Sequence, residues 1–327
     1  MKVAVLTGGE ALECELSLAS AKHVCAALEE AGHRAVLLDI APDLVSSLRS
    51  ERPDVCFVAP HGARGENGSV QSVLEFVGIP FVGSSSSTCQ RAWNKSFLPS
   101  EMAAYHATTG DEPVAFWPQG FCIAGDAFGS MGAAAALDLV EDRVIGGYPV
   151  AVKPAHGASA RGVHRVDSID AMAEAVSDAL SFDNSVIVEQ WVEGVEVMVP
   201  VLGTGWDAYA LPPVEIVAKR GFYDADARLA PGAMEYYTPV RPASLANDDA
   251  DAQAIRAEIE RAALEVCRAY QVRDLAQVSL IWDGAQARVL GVSVSPDMAE
   301  TALFPVACEA AGLSLPGVLD ELIGQYA

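Results

Sequence analysis

Apolar positions alternate between two rhythms over residues 1–94. Residues 3–6 form a short unbroken apolar run, followed by Gly8 and Gly9. A helical period then covers 13–31 and ends at Gly32, a residue suited to a left-handed helix cap. Residues 35–40 and 55–59 read as buried strands, 70–77 as a helix closed by Gly78, and 79–83 as another strand. Strands alternating with helices imply parallel pairing through crossover connections, so this stretch predicts a Rossmann-like α/β unit.

The rhythm changes further on. The serine run 84–87 marks a turn or a helix entry. Residues 95–188 are rich in Ala and Gly, with a strand expected at 148–153, a small-residue loop after it, and a helix at 169–180. Strands are expected at 195–202, 209–217, 275–282 and 287–294. A long helix is expected over 248–269, with Asn247 as its N-cap and Asp248, Asp249 and Asp251 near its positive end. There is no internal repeat. The expected division is an N-terminal unit (1–94), a central unit (95–188) and a C-terminal unit (189–327).

Composition narrows the function classes. Hydrophobic residues make up 51% of the 327, enough for large cores and against disorder. With 21 Lys and Arg against 44 Asp and Glu, the formal net charge is −23. Such a surface repels phosphate backbones and anionic lipid, so neither nucleic acid nor membrane is an expected partner. The seven cysteines are scattered with no CxxC pair, which argues against a disulfide scaffold or zinc ribbon and for a cytoplasmic setting. The apolar run at the N-terminus is too short for a signal-peptide core, and no later run has membrane-spanning length.

Several segments carry candidate chemistry. Gly8-Gly9 marks either an anion site at a helix start or simply a tight strand-to-helix turn. Glu13 either faces a cleft and binds an ammonium group or serves the helix dipole. His61, Arg64 and Glu66 lie on a glycine-rich segment after a buried strand, where open α/β sheets bind ligands; an ordinary surface loop is the equal alternative. Segment 153–162 (KPAHGASARG) places Lys153 at a strand end before small residues whose N–H groups can approach phosphates. Segment 188–197 (VEQWVEGVEV) sets Glu189 and Glu196 around Trp191, which suits adenine and ribose but also an amphipathic strand edge.

In order along the chain, these segments resemble the D-alanine–D-alanine ligase family of the ATP-grasp superfamily. The resemblance spans essentially the whole chain. It rests on GGEALECELSL (8–18), PHGARGENGSVQSVLEFVGIPFVGS (60–84), Trp93-Asn94-Lys95, KPAHGASARG, VEQWVEGVEV, FYDADAR (222–228) and AAGLSLPGVLDELI (310–323). It implies a Rossmann-like domain followed by a two-part ATP-grasp domain. It implies ATP as cofactor, with Lys95 and Lys153 on its phosphates and Glu189, Trp191 and Glu196 around adenine and ribose. On the catalytic side, Glu13 would hold the amine of a small amino-acid-like substrate, His61 would lie near it, and Ser159 would sit over the reacting centre. A homodimer is the expected assembly. The family reaction has two steps: a carboxylate attacks the γ-phosphate of ATP, then an amine displaces phosphate from the acyl phosphate.

The chain departs from the family at the metal and second-substrate end. Gln277 and Ser279 stand where the family has Arg and Asp, and Gly291 and Ser293 where it has Glu and Asn. The three metal-ligand positions are thus Ser279, Gly291 and Ser293, which lack the usual carboxylate and amide oxygens; magnesium would be held mainly by ATP and water. Asp297 replaces an oxyanion glycine, Ala302 a substrate-binding serine, Gly157 an acid of the phosphate-covering loop, and Arg228-Leu229 a Lys-Tyr pair. Asp283, Asp297 and Glu300 are the candidates for a relocated metal site. The expected function is an ATP-dependent carboxylate–amine ligase with altered substrate and metal geometry. The alternatives are a catalytically inactive homologue that binds nucleotide, amino acid or a partner, and the same fold recruited to another reaction.

Overall fold

The computed structural model describes residues 1–8, 11–144, 146–157, 160–219, 221–222, 230 and 232–327. Strands β1 (Lys2–Thr7), β2 (Arg34–Asp39), β3 (Val55–Val58) and β4 (Phe81–Val82) form a parallel sheet in the order β2-β1-β3-β4. The apolar runs of β1 and β3 arise because both faces of the sheet are covered. Val3 and Val5 turn towards Ala21, Val24 and Leu28 of helix Ala11–Glu30, whereas Ala4 and Leu6 turn towards Leu44, Leu48 and Leu74. The expected Rossmann-like unit is therefore present. Helix Ser69–Val77 closes on Gly78, whose φ of 73° is the left-handed cap anticipated there.

Next come β5 (Ala115–Phe116), β6 (Gly120–Ala124), β7 (Val150–Pro154), β8 (His164–Val166) and β9 (Ser185–Gln190). The last four form an antiparallel sheet in the order β6-β9-β7-β8. Its apolar face (Val150, Val152, Val186, Val188) packs on Met172, Ala175, Val176 and Ala179 of helix Met172–Phe182. The division expected at 188/189 falls inside β9: Glu189 pairs with Gly120 and Ala151, and Gln190 with Val150.

The third sheet contains β10 (Val195–Leu202), β11 (Tyr209–Ala210), β12 (Val214–Ala218), β13 (Met234–Tyr237), β14 (Leu275–Trp282) and β15 (Ala287–Ser293), in the order β13-β12-β10-β14-β15-β5 with β11 against β10. Alternation along β10 splits its side chains between two cores. Val197, Val199 and Val201 face Ile259, Ala262, Ala263 and Val266 of helix Asp249–Ala269. Met198 and Leu202 join Val3, Val5, Val55 and Phe57 in a core shared with the N-terminal sheet. Leu98, Met102 and Ala115 also belong to the helix-side core, so part of the expected central unit packs with the C-terminal sheet.

Two local expectations are corrected. The long helix is capped by Asp248, not Asn247: the Asp248 side chain accepts a 2.9 Å bond from the Asp251 N–H. The strand expected over 209–217 is broken into β11 and β12 because Pro212 and Pro213 have no N–H for the ladder. Among the described residues no single helix is long and apolar enough to cross a membrane. All seven cysteines are free thiols.

Candidate active site

Lys153 is the last residue but one of β7, opposite Ile187 of β9, and its buried ammonium lies 2.5 Å from Glu189 Oε1. Lys95 enters from another direction. Ser85 caps helix Ser86–Trp93, and Lys95 opens the short turn that follows it. Its backbone N–H donates to the Ala155 carbonyl at 2.9 Å, Asn94 pairs with His156, and its ammonium donates to the Gly157 carbonyl. The two lysines thus converge on the beginning of the small-residue loop. Burial, and then repulsion from Lys153, brings the Lys95 ammonium down to about 8, against the pull of Glu66, Asp183 and Glu189. Asp183 anchors the loop by accepting from the His156 N–H at 2.8 Å and facing its Nδ1 at 2.9 Å. Ser159, expected over the reacting centre, lies outside the described residues, as do Arg228 and Leu229.

The adenine-type residues sit where the chain leaves the central sheet for the C-terminal one. Glu189 lies near the end of β9 and Glu196 near the start of β10. Trp191 stands between them, edge-on to Phe222 at 5.0 Å, with the Arg165 guanidinium 5.2 Å from its ring and its Nε1 donating to Glu193 at 3.0 Å. Glu196 is half-buried with no hydrogen-bond or ion-pair partner among the described residues, and burial raises its carboxyl to about 7. The Glu189 carboxylate is engaged by Lys153, and the backbone N–H groups that follow it, of Gln190 and Trp191, donate to the Gln119 and Pro149 carbonyls at 2.9 and 3.2 Å.

Glu13, His61 and their neighbours form the other end. Ser17 links them: its hydroxyl donates to the Glu13 carbonyl at 2.6 Å and accepts from the His61 N–H at 2.9 Å. Gly62 has φ 77°, and a Cβ there would meet the Glu13 carboxylate at 2.0 Å, so only glycine lets Glu13 lie over this turn. His61 Nε2 is 2.9 Å from Ser20 Oγ, which donates to Asp297 Oδ1 at 2.7 Å and accepts from the Met298 N–H at 3.2 Å. With the Ser20 proton on Asp297, His61 must present Nε2–H to Ser20. Asp297 is 3.7 Å from that Nε2.

Sequence reasoning missed Ser17 and Ser20, whose signal was their spacing of four and seven from Glu13 on one helix face. Glu66 is buried, as a surface loop would not make it. It accepts from the Gly62 N–H at 2.9 Å and from Ser293 Oγ at 3.0 Å, and burial raises its carboxyl. Arg64, grouped with it in sequence, is exposed.

Ser279 and Gly291 face each other across β14 and β15, as do Gln277 and Ser293, with a register shift just beyond Ser279. These are the positions at which the family would hold a metal. The donors do not fit one. Gly291 offers no side chain, and its missing Cβ would lie 3.8–4.0 Å from the Lys95 stem. The Ser293 hydroxyl donates to Glu66, so Ser279 and Ser293 offer neutral hydroxyl oxygens and no carboxylate. The candidates for relocation do not gather either. Asp283 pairs with Arg288 at 2.7 Å and accepts from two N–H groups of its own turn, Asp297 is held by Ser20, and Glu300 is exposed. Among the described residues no three His, Cys, Asp or Glu side chains are placed to hold a metal ion.

Known proteins resemble this chain over its whole length. The family model described as D-ala D-ala ligase C-terminus matches residues 134–324. A D-alanine–D-alanine ligase from Desulforudis audaxviator is 32% identical over 98% of this chain and 97% of its own length. One from Gloeobacter violaceus is 34% identical, covering 99% and 98%. Two solved structures are alike in fold at 21% identity. One is the D-alanine–D-alanine ligase of Bacillus anthracis in complex with ATP (TM-score 0.75, covering 100% of this chain and 97% of that one). The other is the VanG D-Ala:D-Ser ligase of Enterococcus faecalis (TM-score 0.79, covering 100% and 99%). With its α/β ATP-grasp architecture and full-length relatives above 30% identity, the chain belongs to the D-alanine–D-alanine ligase family.

Proposed function

We propose that this protein is an ATP-dependent carboxylate–amine ligase with an altered substrate and metal site, acting in the cytoplasm as a homodimer. The observation that carries the reading is the convergence of Lys95 and Lys153 beside Glu189, with Trp191 and Glu196 at the adjoining sheet crossing. The lysines neutralise the nucleotide phosphates, and Glu196 accepts from ribose hydroxyls. At the other end Glu13 takes the ammonium of a small amino-acid-like substrate, oriented by His61. The substrate carboxylate oxygen attacks the γ-phosphorus and the bond to the ADP oxygen breaks. An incoming amine then forms the C–N bond, phosphate leaves, and the amine loses a proton.

A second reading, a homologue that binds nucleotide without turnover, is favoured by Gln277, Asp297 and the donor-poor strands β14 and β15. Losing one oxyanion donor costs roughly 2.7–4 kcal/mol of transition-state stabilisation. A carboxylate placed about 4 Å from a developing oxyanion adds repulsion of about 4 kcal/mol at an effective dielectric constant near 20. Calorimetric titration with ATP and ADP, followed by a phosphate-release screen over amino acids, tests both readings. No nucleotide binding at millimolar concentration overturns them together; binding without phosphate release over the whole screen selects the second.

A further inference from the structure

We infer that the phosphate end of this cleft holds its nucleotide through the Lys95–Lys153 pair without a divalent cation, so that magnesium competes with binding rather than supporting it. The inference rests on the nucleotide reading and specifies its electrostatics. A divalent ion bridging protein and phosphate needs protein oxygens, preferably carboxylate. Strands β14 and β15 supply two neutral hydroxyl oxygens, from Ser279 and Ser293, and no carboxylate. The Ser293 hydroxyl donates to Glu66 and receives the Ser295 N–H at 3.4 Å, and the space beside Gly291 is bordered by the aliphatic stem of Lys95.

Two ammonium groups already meet there, that of Lys153 paired with Glu189. Among the described residues the Lys95 ammonium donates to the Gly157 carbonyl, a bond it can exchange for a phosphate oxygen, and Lys153 stands close enough to repel it. An anion between the two ammonium groups relieves that repulsion. A magnesium ion held only by phosphate and water gains nothing from this protein. It lowers the negative charge that the lysines see and occupies oxygens they would contact. The free tri- or diphosphate is therefore the better ligand.

The test is calorimetric titration of the full-length wild type with ATP and with ADP, once in EDTA and once in excess magnesium. The expected result is affinity at least about twofold tighter in EDTA than in magnesium. Equal affinity in the two buffers, or tightening by magnesium, overturns the inference while leaving nucleotide binding intact. Binding in neither buffer overturns the nucleotide reading and this inference with it. The triple variant Ser279→Asp, Gly291→Glu, Ser293→Asn sharpens the result. The missing Cβ of Gly291 has ordinary contact distances, so a side chain fits, and the variant is expected to bind about tenfold more tightly with magnesium than without. A soluble variant that ignores magnesium counts against the inference. Should the variant not fold, the two wild-type titrations decide alone.

Discussion

The two walls of the cleft meet at Lys95 and differ in kind. On the central-sheet side the polar groups are paired: Lys153 with Glu189, His156 with Asp183, Lys95 with the Gly157 carbonyl. On the side of β14 and β15, Gln277, Ser279 and Gly291 bring no charge, and Ser293 donates to Glu66. Neither wall has lost its fold. The register of β14 on β15 runs through both pairs of altered positions, because a ladder is built by backbone groups and by the buried face, here Val278, Leu280 and Val289. The ladder and the polar chemistry of these strands are therefore set by different residues, and one can change while the other stands.

The comparison makes its largest claim about turnover. Wild type should form D-alanyl-D-alanine far below the roughly 1–1,000 per second of typical enzymes. A rate inside that range, measured by phosphate release with product identification, would break the contrast between the walls. Next is Lys153→Ala, which removes a charge-assisted phosphate contact and leaves Glu189 without its cation. It should weaken nucleotide binding by roughly 1.5–3 kcal/mol, or about 10- to 150-fold, in calorimetry.

The pH dependence of the intact wall follows. Glu196 ionises near 7 and Lys95 loses its proton near 8. Ribose binding by a carboxylate strengthens as pH rises through the first value, and phosphate binding by an ammonium weakens as pH rises through the second. Nucleotide affinity should therefore peak between them, each limb changing by at most about tenfold per pH unit. Glu196→Gln should flatten the acid limb alone; an unchanged acid limb would remove Glu196 from the ribose site. The smallest effect belongs to the emptied wall. Ser279→Ala should leave affinity in excess magnesium within about twofold, as for a substitution without special contacts. A larger loss would mean that this hydroxyl holds an ion after all.

What could be read from the sequence depended on how local the signal was. The two-sided burial of β1 and β3 writes itself as unbroken apolar runs, and Gly32 and Gly78 stop their helices by positive φ, so the N-terminal unit was legible. Strands β6, β8 and β9 are short and paired at a distance, and only their partners make them strands. Asn247 and Asp248 are both good caps, and which one captures an N–H is settled by geometry invisible in composition. At the site, Lys153 and Glu196 stand out because each is charged where its neighbours are small or apolar, whereas Lys95 was marked only by the family resemblance. Ser17, Ser20 and the attachment of Asp297 were not, since a helix serine gives no sign of what it touches across 277 positions of chain.

The apolar cluster of the central sheet, from Val140 to Val188, shares no residue with the clusters of the other two sheets. The chain passes between them only at residues 117–119 and 191–194. Mechanically the molecule is a fixed block, made by the N-terminal and C-terminal sheets fused through Met198 and Leu202, with a jaw attached by two short straps. Swinging the jaw stretches polar contacts such as that from Lys95 to Gly157 but wets none of the block's buried side chains. Resistance of this joint to such a swing would come from hydrogen bonds rather than from a hydrophobic interface, and Trp191, lying in one strap, would register the motion in its fluorescence.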